Sequence, residues 1–284
     1  MHVIAHGGAG DEPEEPTDRQ AVLDEAVATG VEESAPLDAV VATVEVLESD
    51  PRFNAGVGGA VQSDGVVRTD AGLMTDDRAV GAACSMPGVE HAVSAARVVM
   101  EETPHVLVSG EHAVDLAADY GVETDVDLWT DRTRERWAAL ETRPSGGPAD
   151  HLAWLRDRFG GHDTVGAVAT DGDRVAAATS TGGRWLALAG RVGDVPQVGG
   201  GFYAAPAGGA SATGAGEDIA RATLARRAVG HLEAGHDPDR AADLALEEFA
   251  ELTGSRAGVI VVSNSGDSGR AFNSEAMQTA RTSR

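Results

Sequence analysis

The 284-residue chain has no lysine: all 22 basic residues are arginine, set against 46 acidic ones, for a formal net charge of −24. So large an acidic excess disfavours polyanionic partners, both nucleic acid and anionic membrane. It reads instead as a solvating surface, of the kind that keeps a protein dispersed where salt screens charge. Cysteine is nearly absent. Cys84 stands alone, which rules out an intramolecular disulfide, and beside Gly81, Ala82 and Ala83 it reads as a small core residue rather than a nucleophile. Aromatic residues make up only 4%, so the core must rest on Ala, Val and Leu. No apolar run approaches the ~20 residues of a membrane span. The opening Met1-His2-Val3-Ile4-Ala5-His6-Gly7-Gly8 lacks the basic and long apolar regions of a signal peptide. These absences predict a soluble, cytoplasmic protein with no nucleic-acid or membrane partner.

What remains is ample for folding. Hydrophobic residues are 42%, and the length suits one large domain or two small ones, with a core that needs no covalent staples. A short apolar strand at 2–6 runs into His6-Gly7-Gly8-Ala9-Gly10. Leu37, Val40, Val41, Val44 and Leu47 recur at spacings of three and four, the pattern of a helix with one buried face, with Ser34 and Asp38 as cap and first-turn acid. The Gly-rich Phe53–Gly59 loop follows, then a hairpin over 60–74 turning at Ser63-Asp64-Gly65. A strand near 79–85, a helix near 89–102, a strand at 105–109 and a helix at 110–120 complete this half. Residues 121–161, rich in Asp, Arg, Thr and Gly, read as a surface linker with a short helix near Trp154. Strands restart at 164–170 and 175–181. Helices are expected near 217–234 and 238–253, and a last hairpin at 257–263 and 269–273. Strands, then helices, then strands in both halves predict sheets covered by helices on their outer faces.

Four segments carry chemistry. In Gly161-His162-Asp163-Thr164-Val165-Gly166, a backbone break before Thr164 would free an α-amine of pKa ~7.7–8.0 on the same residue as a hydroxyl that needs a base. Taken alone, Thr164 reads far more readily as an ordinary β-branched strand residue. Thr179-Ser180-Thr181-Gly182-Gly183 brings hydroxyls to a strand end, where they orient a nucleophile or simply make a turn. Arg191-Val192-Gly193-Asp194, after Gly190, holds the two charges that would grip an α-amino acid: Arg for the carboxylate and Asp for the ammonium. A surface ion pair is the plainer reading. In Ser211-Ala212-Thr213-Gly214-Ala215-Gly216-Glu217, Thr213 and the Gly214 N–H offer an oxyanion hole or a helix cap.

In this order, these segments resemble the plant-type asparaginases, also called isoaspartyl or β-aspartyl peptidases. The likeness is carried by Thr164-Val165-Gly166-Ala167-Val168-Ala169, by 179–183, 190–194 and 213–217, and by His6–Gly10, Phe53–Gly56, Asp70-Ala71, Pro104-His105-Val106 and Phe272-Asn273-Ser274-Glu275. The resemblance implies an α+β fold, the four-layer αββα sandwich of the N-terminal-nucleophile hydrolases. It implies self-cleavage between Asp163 and Thr164 into chains 1–163 and 164–284, with Thr164 as nucleophile, Thr181 and Asn54 orienting it, and Thr213 and Gly214 as the oxyanion hole. Arg191, Val192, Gly193, Asp194, Ala215 and Gly216 would bind a small-molecule or dipeptide substrate. No catalytic cofactor is implied. A structural sodium ion would sit on the carbonyls of Leu47, Glu48, Asp50, Phe53, Ala55 and Val57, and the assembly would be a homodimer of αβ units.

The chain departs from the pattern at several points. Asp163 stands where most members have glycine, and His162-Asp163-Thr164 matches the glycosylasparaginases instead. No lysine follows Gly183, and Gly193-Asp194 is followed by Val195. A glycosylasparaginase-like amidase and a catalytically dead metabolite-binding protein are the rival readings. A serine hydrolase is excluded by the absence of any Gly-x-Ser-x-Gly elbow.

Overall fold

The computed structural model describes residues 1–155, 160–162 (backbone) and 164–284. The first part of the chain forms β1 (His2–Gly10), α1 (Pro16–Val31), α2 (Pro36–Ser49), β2 (Arg68–Thr75), β3 (Val80–Pro87), α3 (Ala92–Glu102), β4 (Leu107–Ser109), α4 (Glu111–Asp119), α5 (Asp131–Ala138) and α6 (Pro148–Leu155). The second part forms β5 (Gly160–His162), β6 (Val165–Thr170), β7 (Val175–Thr181), β8 (Arg184–Trp185), β9 (Phe202–Ala205), β10 (Gly208–Gly214), α7 (Gly216–Ala222), α8 (Leu224–Glu233), α9 (Pro238–Thr253), β11 (Ala257–Ser263), β12 (Ser268–Phe272) and β13 (Ala276–Ser283).

Two sheets carry the architecture. Seven strands lie in the order β13-β1-β6-β7-β2-β3-β4, and four in the order β12-β11-β10-β9. Pairing is antiparallel except between β3 and β4. Alternation along each strand assigns its side chains to layers. On β6 and β7, Val165, Ala167, Ala169, Ala176 and Ala178 face outward into a core with α1 to α4, whereas Val168, Val175 and Ala177 face inward. The inward residues meet Phe202, Ala204, Ile260 and Val262 of the second sheet. The outer face of that sheet is closed by α7, α8 and α9 through Leu224, Val229, Leu246 and Phe249. The result is the αββα sandwich expected from the resemblance.

Small residues set the distance between the sheets. A Cβ on Gly72 of β2 would lie 2.1 Å from the Phe202 ring, and one on Gly209 of β10 would lie 2.8 Å from Val168. Glycine on one sheet thus makes room for a large side chain on the other.

Several local expectations need correction. Ser34 does not cap α2: the N-cap is Ala35 without a side-chain bond, and Pro36 at the first turn, where its missing N–H costs nothing, starts the helix instead. The 60–74 hairpin reduces to a turn with a single Val61–Val67 bridge, because β2 pairs with β3 and β7. The 217–234 helix is two helices, broken at Thr223 with φ 52°. Residues 121–161, expected as a surface linker with one short helix near Trp154, carry that helix as α6 and add α5, with a Thr130–Thr133 capping box, and β5, which pairs with β8.

Gly72→Ala should therefore destabilise the protein by about 1–3 kcal/mol through overpacking against Phe202, although glycine-to-alanine in a compatible strand would ordinarily stabilise it. Chemical denaturation gives the sign directly.

Candidate active site

The strand ladder places the hydroxyls. The β6–β7 pairing ends at Val165↔Ser180. Thr164 just precedes β6 and Thr181 closes β7, so both stand at one end of adjacent strands, on the inward-facing side. Thr213 is the last residue but one of β10, on the facing sheet, and its hydroxyl accepts from the Ala9 N–H at 3.3 Å. All three threonines are buried, with Thr164 5% and Thr181 4% exposed. Three sequence-distant segments therefore converge as expected. Asp163 lies outside the described residues.

Asn54 locks the loop before β2 onto the β7 turn. Its Nδ2 donates to Gly183 O at 2.7 Å and its Oδ1 accepts from Ala60 N at 2.8 Å. Its carbonyl accepts from Gly182 N at 2.8 Å. The approach is so close that a Cβ on Gly182 would meet Gly59 Cα at 2.2 Å. That contact gives the two glycines after Thr181 a steric reason.

Arg191, Asp194 and Gly216 form a second focus. A Cβ on Gly216 would lie 2.6 Å from Asp194 Oδ1 and 2.8 Å from the Arg191 guanidinium, so the missing side chain leaves both charges a shared space. Arg191 Nε donates to Glu217 Oε1 at 2.8 Å, which fixes the guanidinium by its inner edge. Asp194 is 4% exposed, and its Oδ2 is buried without any hydrogen-bond partner. Burial pushes its carboxyl up to about 7, with Arg191 opposing. A buried acceptor left unsatisfied is costly, so this atom is set for a donor that none of the described residues supplies. Asp70 adds another buried carboxyl, held by the Ser85 N–H at 2.7 Å and likewise pushed up to about 7 by burial despite nearby Arg191. The roles of Glu217 and Asp70 were not read from sequence. Glu217 is quoted within its motif, but nothing in the spacing marks it as the brace of Arg191.

Beneath the threonines lies a polar layer. His6 Nε2 contacts Ser211 Oγ at 2.8 Å, Ser211 Oγ contacts Thr179 Oγ1 at 2.7 Å, and Thr179 Oγ1 donates to Gly201 O at 2.8 Å. All three side chains are fully buried.

The candidate cation loop follows α2. Val57 N donates to Glu48 O at 2.9 Å and Phe53 N to Asp50 O at 3.1 Å. A Cβ on Gly56 would lie 2.2 Å from Glu48 O, and one on Gly58 would lie 2.8 Å from both Pro51 O and Phe53 O. Carbonyl oxygens thus crowd around two glycines in a cradle that a side chain would fill. This all-oxygen donor set suits a hard cation. Among the described residues no group of three or more His, Cys, Asp or Glu side chains could hold a metal. No helix among them is long and apolar enough to cross a membrane.

A groove of about 740 Å³ opens beside Asn54 and Ala9, walled by Ala60, Trp185, Arg132 and Arg136. The Arg136 guanidinium stacks on the Trp185 ring at 4.1 Å.

A family model described as asparaginase matches residues 1–284. The plant-type L-asparaginase of Pyrococcus abyssi is 38% identical over 290 residues, covering 98% of this chain and 95% of that protein. The isoaspartyl peptidase/L-asparaginase of Danio rerio is 38% identical over 289 residues, with 98% and 91% covered. The plant-type L-asparaginase of Pyrobaculum calidifontis is 40% identical over 285 residues, with 97% and 94% covered.

The Asp194 carboxyl makes a pH prediction. Its folded pKa stands above the ordinary 3.8. The stability that goes with its neutral form is therefore present below about pH 4 and lost as pH rises through 7. Asp194→Asn removes that loss. In ligand-free protein, the variant's melting temperature should exceed the wild type's at pH 8, and the difference should shrink towards pH 4.

Proposed function

The chain belongs to the asparaginase family, and from that membership we propose that Thr164, freed from Asp163 by self-cleavage, is the nucleophile of an amidohydrolase that releases aspartate from L-asparagine and from β-aspartyl peptides. The observation that carries this reading is the convergence of Thr164, Thr181 and Thr213 at one edge of the sandwich.

The liberated α-amine of Thr164 takes the proton of its own Oγ as Oγ attacks the side-chain amide carbon. Nucleophile and base share one residue, so little orientation entropy is left to lose. The Thr213 hydroxyl and the Gly214 N–H hold the oxyanion. The amine returns the proton to the leaving nitrogen, and ammonia or an amine departs. Water then gives a proton to the same α-amine and attacks the Thr164 ester, which restores Oγ–H and frees aspartate. Thr181 and Asn54 keep the nucleophile's strand end in place.

The rest of the substrate is gripped by charge. Asp194 Oδ2, which has no partner of its own, accepts from the α-ammonium. The outer nitrogens of Arg191 take the α-carboxylate while Glu217 braces Nε. Gly216 leaves the space between them, with Val192, Gly193 and Ala215 lining it. The groove beside Asn54 and Trp185 gives room for a leaving group larger than ammonia, which supports β-aspartyl peptides as substrates alongside asparagine. The carbonyls around Gly56 and Gly58 would hold a sodium ion that fixes the Asn54 loop. The acidic surface fits a salt-rich medium, where screening relieves repulsion among its carboxylates.

Asparagine and β-Asp-Leu should both yield aspartate with wild-type protein, and neither should with Thr164→Ala. Turnover that survived in Thr164→Ala would overturn the assignment. Thr213→Val should lower kcat on the order of 10²- to 10³-fold, the usual consequence of losing one oxyanion donor, and steady-state aspartate release measures it.

A further inference from the structure

The geometry points to His6, Ser211 and Thr179 as positioning residues: a proton-ordered crosslink between the two sheets that sets the nucleophile against the oxyanion hole. This rests on the reading of Thr164 and Thr213 given above.

Side chains two apart on a strand share a face. Thr179 is two residues from Thr181 on β7, and Ser211 is two residues from Thr213 on β10. Gly166, two residues from Thr164, pairs in register with His6 of β1. The polar layer is thus the functional layer moved one step into the sandwich. Gly166 is part of it by omission: a Cβ there would lie 2.0 Å from Ser211 Oγ and 2.7 Å from His6 Nε2. The contacts join β1 and β7 of the seven-stranded sheet to β10 of the other. At the far end, Gly201 donates its N–H to the Asp194 carbonyl at 3.1 Å, so the chain of contacts reaches the substrate clamp.

One arrangement of protons gives each of the three side-chain contacts a hydrogen; a ring proton turned instead towards the Thr164 backbone, which also meets the ring, would leave the Ser211–Thr179 contact without one. Thr179 has a single hydroxyl hydrogen and donates it to Gly201 O, so at the 2.7 Å contact Ser211 donates to Thr179. Ser211 Oγ then accepts from His6, whose Nε2 carries the proton. In that arrangement Nδ1 carries no proton. Burial pushes the ring's pKa down to about 3, and a weaker backbone contact with Thr164 opposes this. His6 is therefore neutral and bears one proton, which Ser211 claims. A directed chain of this kind has one geometry, and breaking any link frees β10 to shift against β6 and β7.

Misplacement by about 1 Å costs on the order of 10²-fold in rate. Ser211→Ala and Thr179→Val should each lower kcat for asparagine by that order, with a much smaller change in KM. The double variant should be no worse than either alone, and Thr179→Ser should restore most of the rate. Nitrogen-15 NMR of histidine-labelled wild type, with His6 assigned by its loss in His6→Gln, should show the His6 ring protonated at Nε2 and neutral from pH 5 to 8. Variants that melt earlier yet keep wild-type kcat would make the layer merely structural and overturn the proposal, as would a proton on Nδ1. Should Ser211→Ala or Thr179→Val fail to fold, the ring nitrogens of the wild type still decide. Failure of the Thr164 assignment would show separately, as turnover that survives Thr164→Ala whatever the ring reports.

Discussion

Everything at the site depends on two β-sheets packed face to face through small side chains. Packed sheets stand about 10 Å apart, and here that gap is filled by alanine, valine and glycine together with Ile4, Met74, Ile260, Met277 and the ring of Phe202. The spacing fixes which inward positions meet, because register decides which residues share a face. Thr164 and Thr181 belong to one sheet and Thr213 to the other. Their separation is therefore a property of the sandwich core, and the same glycines that admit Phe202 and Val168 help to set how far Thr164 stands from Thr213. Towards the site, the apolar filling gives way to the hydroxyls and imidazole of Thr179, Ser211 and His6. Hydrogen bonds there resist sliding in a way that alanine contacts do not.

Electrostatics at the substrate clamp follow from the same burial. Asp194 and Asp70 are both taken out of water near the Arg191 guanidinium, itself paired to Glu217, and burial raises both aspartates well above their ordinary range. On the proposed reading, a ligand ammonium beside Asp194 would add positive charge there, and the site would select for a substrate that carries its own cation next to its own carboxylate, an α-amino acid head. The rest of the molecule deals with like charge differently. Its acids lie mainly at the surface, several paired with arginines, as in Arg52 with Glu15 and Asp50 or Arg97 with Asp38 and Glu101.

Much of this was legible in the chain because strand ends are punctuated by glycine. Thr181-Gly182-Gly183 and Thr213-Gly214 mark where strands stop, and those ends are where functional hydroxyls stand. The α2 face from Val40 to Leu47 was equally plain from its spacing. Less plain were features that depend on distant partners. His6 and Ser211 are 205 residues apart, and nothing local to either predicts their contact. Asp70 looks like any strand acid until register sets it opposite Thr181. β13 went unseen because its half-exposed Ala276–Ser283 alternation is too polar for a strand signal, although it closes the sheet against β1. The 121–161 stretch looked like a linker because its composition is polar. Short caps such as Thr130–Thr133 build helices there without a continuous apolar face.

The central claim is that a backbone break supplies the catalytic amine. Intact-mass measurement of the purified, active protein, followed by N-terminal sequencing of the smaller species, tests it most directly. The account predicts two chains, the second beginning Thr164-Val165-Gly166. A single uncut chain of full turnover would contradict it.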